Sequence, residues 1–267
     1  ALVTYGSVES LVLSAGTAND KVTIASTHAG TTLINAGAGN DKFIGVTTSG
    51  QTSLDGGAGD ADEAVSGDSS ADTSLTDTVL ELRHGTTVVA HFAIASIEKR
   101  VLVGGTGSNN YSIQGLSALS TGTGGGNKFD PIPPDNGKTI TIIDTGGANT
   151  LDFGASASGI VFDLGLSNGE EQVIDASGTR LKVTGSFQTI FGTNLDDDFT
   201  ASLTLNPLTG TLDSGSVIST GAGNDVIRAP HAGGSFDLGG GNDMFIQMLD
   251  TQDLATGGID LLLGATG

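Results

Sequence analysis

The sequence predicts an all-β fold, a parallel β-solenoid or β-roll-like stack of short strands joined by Gly-Asn-Asp turns. Three observations carry this expectation. A Gly-rich turn ending in Asn-Asp recurs along the chain, the segments beside it alternate apolar and polar residues at period two, and large side chains are scarce. Glycine accounts for 43 of 267 residues, aromatics for 4%, and Trp and Cys are absent. A thick globular core needs more volume than this composition supplies, whereas repeats stacked on their neighbours need less.

The clearest repeats are SAGTANDKVTI from Ser14, NAGAGNDKFIG from Asn35, STGAGNDVIRA from Ser219 and DLGGGNDMFIQ from Asp237. Asp20, Asp41, Asp225 and Asp243 hold equivalent places in them. Weaker copies start at Leu54, Leu102, Ser120, Asp144 and Phe191. The acids are 21 residues apart from Asp20 to Asp41, 18 from Asp225 to Asp243, and 17 from Asp243 to Asp260. Such a repeat holds two or three short strands and is too short for a βαβ unit, so one coil is expected per 17–21 residues. KVTIAS, TTLINA, ITIIDT and RLKVTG read as strands. VVAHFAIASIEKR, residues 88–100, admits either a short helix or strands.

Two segments depart from the repeat. Residues 60–78 are acidic and poor in large apolar groups, and are expected to form a protruding loop. Residues 129–138 contain three of the five prolines and should interrupt the strand ladder. The chain therefore divides into repeat coils over 1–128, a Pro-containing break, and repeat coils over 139–267. Both ends look like cuts in a longer repeat series.

The chain has 30 Asp and Glu against 10 Lys and Arg, a formal net charge of −20. This argues against nucleic acid as a partner, because phosphate would be repelled. No cysteine is available for a disulfide, a thiol nucleophile or a thiolate zinc site. No apolar run is long enough for a helical membrane span. His28, His84, His91 and His231 show no zinc-ligand spacing. Acid pairs such as Glu170–Glu171, or the run Asp196, Asp197 and Asp198, have the residue type of a glycosidase dyad or of a carbohydrate-active β-solenoid site such as a polysaccharide lyase or epimerase module. Two Tyr, no Trp and ten basic residues offer little platform for a sugar chain, and no Gly-x-Ser-x-Gly elbow or phosphate loop appears. The expectation is that the chain is not an enzyme.

The turns themselves suggest a metal. Glycines expose backbone carbonyl oxygens, the aspartate adds a hard carboxylate, and calcium takes six to eight oxygens in flexible geometry. The turns resemble the calcium-binding nonapeptide of RTX, or hemolysin-type, repeat proteins, in a degenerate form found in bacterial adhesins and surface-layer proteins. Gly37, Gly39, Asp41 and Phe43 match that pattern, as do Gly221, Gly223, Asp225 and Ile227, and Gly239, Gly241, Asp243 and Phe245. Gly16, Asp20 and Val22 match with Ala18 at one glycine place. The turn with Gly56, Gly57 and Gly59 has Ala61 at the aspartate place, flanked by Asp60 and Asp62. The resemblance implies Ca2+ of weak to moderate affinity, with Asp20, Asp41, Asp60, Asp62, Asp225 and Asp243 as candidate ligands. Asn109, Lys128 and Thr150 are read as replacing the acid in three degenerate turns, and those turns close through backbone and Asn hydrogen bonds. Metal-free Asx turns, with asparagine or aspartate serving only as turn formers, are the alternative for the good turns as well.

These readings converge on a structural segment of a secreted or bacterial cell-surface protein, a calcium-stabilised scaffold in a surface layer, filament or adhesin stalk. Its expected partners are copies of itself, adjoining repeats of a longer chain, or a surface glycan.

Overall fold

A computed structural model describes residues 7–59, 61–68, 71–76, 78–97, 99–103, 108, 110–114, 118–122, 126–132, 139–201, 216–229 and 234–247. Among these residues the fold is all-β, with one three-residue 3-10 turn at Leu164–Leu166. The strands of the N-terminal half are β1 (Ser10–Ser14), β2 (Lys21–Ile24), β3 (Thr31–Ala38), β4 (Lys42–Gly45), β5 (Gln51–Ala58), β6 (Glu63–Ser66), β7 (Asp72–Leu75), β8 (Val79–His84), β9 (Thr87–Ala95), β10 (Lys99–Val103), β11 (Asn110–Gln114), β12 (Ala118–Gly122) and β13 (Lys128–Ile132). They are followed by β14 (Thr139–Asp152), β15 (Val161–Asp163), β16 (Asn168–Val173), β17 (Arg180–Phe191), β18 (Asp198–Thr200), β19 (Val217–Ser219), β20 (Val226–Ala229), β21 (Ser235–Asp237) and β22 (Met244–Gln247). Eighteen of these strands form one hydrogen-bonded sheet, and β15, β18, β20 and β22 form a second.

Pairing is parallel except at three places, β7 with β8, β8 with β9, and β16 with β17. A strand pairs with its counterpart in the next repeat rather than with its neighbour in sequence. Leu13 faces Ile34, which faces Leu54, which faces Ile94. Tyr111, Phe129, Leu151, Ile190, Ile218 and Phe236 make a second column. Phe162, Phe199, Ile227 and Phe245 make a third.

The period-two pattern explains why these columns are apolar. Thr32, Ile34 and Ala36 point into the core from β3 while the residues between them face outward. Parallel register then stacks like on like about 4.8 Å apart. The rings of Tyr111 and Phe129 stack at 4.8 Å between centroids, and that of Phe153 packs at 6.2 Å from Phe199. Ten Phe suffice because each ring fills one rung of a narrow core.

The structure changes one of these expectations, decides a second and locates a third. Residues 60–78 are not merely a protruding loop, since they carry β6 and β7 with Ala64, Leu75 and Thr73 buried. Alanine, serine and threonine fill most of the inward places there, with Val65 and Leu75 the larger exceptions, so the segment looks core-poor although it is part of the sheet. Residues 88–100 form β9 and the start of β10, not a helix; Ala90, Phe92 and Ile94 alternate inward at period two. In the 129–138 break, Pro131 lies within β13 and faces Ile113 of β11, while pairing of β13 with β14 stops at Phe129. The missing proline N–H accounts for that stop. Residues 133–138 lie outside the described residues.

Phe199 is fully buried between Phe162 and Ile227. Phe199→Ala is expected to cost about 3–5 kcal/mol in denaturant unfolding. Val161→Ala on the same sheet, at a side chain 56% exposed, is expected to stay within about 0.5 kcal/mol.

Candidate functional site

Strand pairing runs through Gly37 and Ala38 of the turn and stops before the Asn-Asp corner, so the amide that precedes each outgoing strand needs an acceptor from elsewhere. The Asn-Asp dipeptide supplies one in each direction. Between the first two repeats, the Asp20 backbone N–H donates to Asp41 Oδ1 at 2.7 Å, and the Asn40 N–H donates back to Asn19 Oδ1 at 2.9 Å. The Lys42 N–H donates to the Asp20 carbonyl at 2.8 Å. Each peptide corner is thus held by its neighbour on both sides.

The same three bonds recur at the other end of the chain. Asn242 N–H donates to Asn224 Oδ1 at 3.0 Å, Asp225 N–H to Asp243 Oδ1 at 3.0 Å, and Met244 N–H to the Asp225 carbonyl at 2.8 Å. One repeat earlier the partners are Asn224 N–H with Asp196 Oδ1 at 2.7 Å and Asp197 N–H with Asp225 Oδ1 at 2.8 Å. Asp197 in turn accepts from the Ile160 N–H at 2.7 Å. In the N-terminal stack, Asp41 N–H donates to Asp62 Oδ1 at 2.7 Å.

The candidate ligands Asp20, Asp41 and Asp62 are therefore brought into one column, and Asp225 and Asp243 into a second that also holds Asp197. Asp60 lies outside the described residues, as does Asp260. Register corrects four sequence readings. Asp62, not Ala61, stands at the aspartate place, because Lys42 faces Glu63. Asn127 and Asn149, not Lys128 and Thr150, hold it in the degenerate turns: the Asn127 N–H donates to Asn149 Oδ1 at 3.1 Å, and Lys128 faces Thr150 one position later. Lys128 instead pairs with Asp152 at 2.6 Å and Asp130 at 3.2 Å. Asp197 belongs to the column although its run, Asp196–Asp197–Asp198, reads as an undivided acid cluster. Its three carboxylates go to three places, Asp196 to Asn224, Asp197 to the corner, and Asp198 to an ion pair with Arg228. The period also loosens, since corner partners lie 18, 21, 22, 28 and 37 residues apart.

The remaining candidate groups sit elsewhere. His84 contacts Asp68 at 2.8 Å, and His91 contacts Glu81 at 3.1 Å on the antiparallel excursion. Glu171 pairs with Arg180 at 3.0 Å on an exposed face. His231 lies outside the described residues.

Glycine is required where one turn rides on the next. Gly37 has φ +110° and Gly221 has φ +101°. A Cβ at Gly37 would strike the Gly16 carbonyl oxygen, and one at Gly221 would strike that of Thr193.

The interior carboxylates are buried, with Asp41, Asp197 and Asp225 at most 2% exposed. Burial raises the pKa of Asp197, hydrogen bonds from Thr193 and Ile160 lower it, and the charge of Asp225 raises it, leaving it pushed up to about 6. Oδ2 of Asp41 and Oδ2 of Asp225 are buried and accept no hydrogen bond. An oxygen in that position suits a hard cation. Among the described residues no three of His, Cys, Asp and Glu converge on one point, so a calcium ion here would take at most two such side chains and draw its other oxygens from turn carbonyls. The donor chemistry fits calcium to that extent.

Comparison of the chain with protein-family models, curated proteins and solved structures finds no match to any of them.

An Asp whose folded pKa is raised binds its proton more tightly when folded, so stability falls as pH rises from about 4 to about 6 and then levels. In chelator-treated buffer, the thermal midpoint is expected to rise on acidification from pH 7 to pH 5. Asp197→Asn should flatten that rise while leaving the Oδ1 acceptor in place.

Proposed function

We propose that this chain is a structural segment of a secreted or cell-surface protein, a β-solenoid whose coils are clamped by Asn-Asp rungs and stiffened by calcium. The observation that carries the reading is the repetition of one three-bond rung at both ends of the chain, from Asp20 to Asp41 and from Asp197 through Asp225 to Asp243. The Oδ1 atoms of these acids face backbone amides of adjacent repeats.

The parallel columns of Leu13, Ile34 and Leu54 and of Phe162, Phe199 and Ile227 support a solenoid, because each strand meets its counterpart one repeat away. Calcium is supported by the unpartnered Oδ2 atoms of Asp41 and Asp225, by the excess of acid over base, and by the resemblance of the turns to RTX repeats. A cation beside a buried carboxylate offsets its desolvation and joins the coils that contribute oxygens. An exterior site follows from the same chemistry, since millimolar calcium fills weak oxygen sites.

Calcium titration of the metal-free chain should raise its thermal midpoint, with a gain of about 2.7 kcal/mol when calcium exceeds the dissociation constant a hundredfold. Magnesium should do much less. The double variant Asp41→Asn, Asp225→Asn keeps both Oδ1 acceptors and removes both charges, so it should fold and lose most of the response. A β-rich chain indifferent to calcium, or an undiminished response in the double variant, would remove calcium from the account and leave the rungs.

A further inference from the structure

The corner aspartates differ in what reaches their second carboxylate oxygen. At Asp20 the Gly16 N–H donates to Oδ2 at 3.2 Å, and at Asp197 the Thr193 N–H donates to Oδ2 at 2.7 Å. In both, the donor stands four residues before the acid. Asp41 and Asp225 have Gly37 and Gly221 at that place, and their Oδ2 atoms accept no hydrogen bond. We propose that the backbone four residues before the aspartate decides which corners take a cation. Asp41 and Asp225 each hold one calcium ion at Oδ2, whereas Asp20 and Asp197, whose second oxygen is capped by an amide, hold none. This rests on the calcium reading above and assigns it to particular corners.

Register makes the comparison like for like. Ser14 faces Asn35 and Phe191 faces Ser219, which sets Gly37 over Gly16 and Gly221 over Thr193. Gly16 and Thr193 lie outside the left-handed region, while φ is +110° at Gly37 and +101° at Gly221. The later turn of each pair is seated on the earlier one: a Cβ on either Gly37 or Gly221 would lie 2.1 Å from the carbonyl oxygen beneath it. Glycine alone accepts both that contact and that φ without strain. In this conformation the amide does not serve its own aspartate, and Oδ2 is left without the donor that the earlier corner has.

No neighbouring base makes up for the missing donor. Lys42, next to Asp41, pairs with Glu63 at 2.9 Å, and Arg228, three residues after Asp225, pairs with Asp198. Both aspartates are buried. A buried carboxylate oxygen with neither donor nor counter-charge is costly, and a hard cation removes that cost while drawing its other oxygens from turn carbonyls. The same carboxylate then performs two tasks. Oδ1 of Asp41 accepts the Asp20 N–H and Oδ1 of Asp225 accepts the Asp197 N–H, so the ion at Oδ2 sits beside a bond that already joins two repeats. Each column of acids thereby acquires its own clamp.

The sequence alone makes Asp20 and Asp41 equivalent ligands, because Gly16 and Gly37 are the same residue at the same spacing. What separates them is backbone conformation, and with it the choice between an amide and an ion as the partner of Oδ2.

The test counts calcium by equilibrium dialysis on the full chain and on the single variants Asp20→Asn, Asp41→Asn, Asp197→Asn and Asp225→Asn, each checked for β structure by circular dichroism. Asp41→Asn and Asp225→Asn should each bind one ion fewer per molecule than the unaltered chain. Asp20→Asn and Asp197→Asn should bind as many as it does. Counting by difference keeps ions held elsewhere in the chain out of the comparison, and the two columns test the rule independently should one variant lose its fold. Undiminished uptake in a folded Asp41→Asn or Asp225→Asn, or the loss of an ion in a folded Asp20→Asn or Asp197→Asn, would overturn the proposal alone. A β-rich unaltered chain that takes up no calcium would overturn it together with the calcium reading.

Discussion

The structure depends on one constraint, that a strand repeatedly turning a Gly corner must find an acceptor for the amide it carries through the turn. The carboxylate of the following repeat provides it, and the asparagine beside that carboxylate makes the reverse bond. A charged acceptor strengthens such a bond to about 1.5–3 kcal/mol, roughly twice a neutral one. The glycines serve the same end, since only a residue without Cβ lets Gly37 lie against the Gly16 carbonyl. Turn conformation, close stacking and corner capping are therefore one solution, and they explain why Gly, Asn and Asp recur together.

That solution carries its own tension. Asp197 caps amides best when ionised, yet burial disfavours its ionised form. Asp197, held by bonds from Thr193 as well as Ile160, is still shifted upward by burial and by the charge of Asp225. In the middle of the chain Asn149 performs the same capping without charge. The columns therefore mix neutral and acidic caps, and the acidic ones are where a proton or cation would be felt.

Much of the fold was legible because its signals are local. Alternation in TTLINA and KVTIAS marks β3 and β2, and the four strong Gly-Asn-Asp turns lie at the corners the sequence suggests. What escaped depended on register, which no local pattern specifies. Lys128 and Thr150 were aligned one position late because the degenerate turn GGNK offers asparagine and lysine side by side; only the facing of Lys128 with Thr150 and of Asn127 with Asn149 decides between them. Asp197 was hidden among three consecutive acids, and only the facing of Phe191 with Ser219, which sets STGAGND over FGTNLDD, singles out the middle one. The strands at Glu63–Ser66 and Asp72–Leu75 escape a hydrophobicity reading because alanine, serine and threonine fill most of their inward places and leave Val65 and Leu75 as isolated apolar residues.

The most direct measurement is amide hydrogen exchange at the corners. The account predicts slow exchange at the Asp197 N–H, selective loss of that protection in Asp225→Ala, and its return in Asp225→Asn, which restores an oxygen at the Oδ1 place. Fast exchange at Asp197 in the unaltered chain, or protection unaffected by Asp225→Ala, would contradict the rung as the element that holds the repeats together.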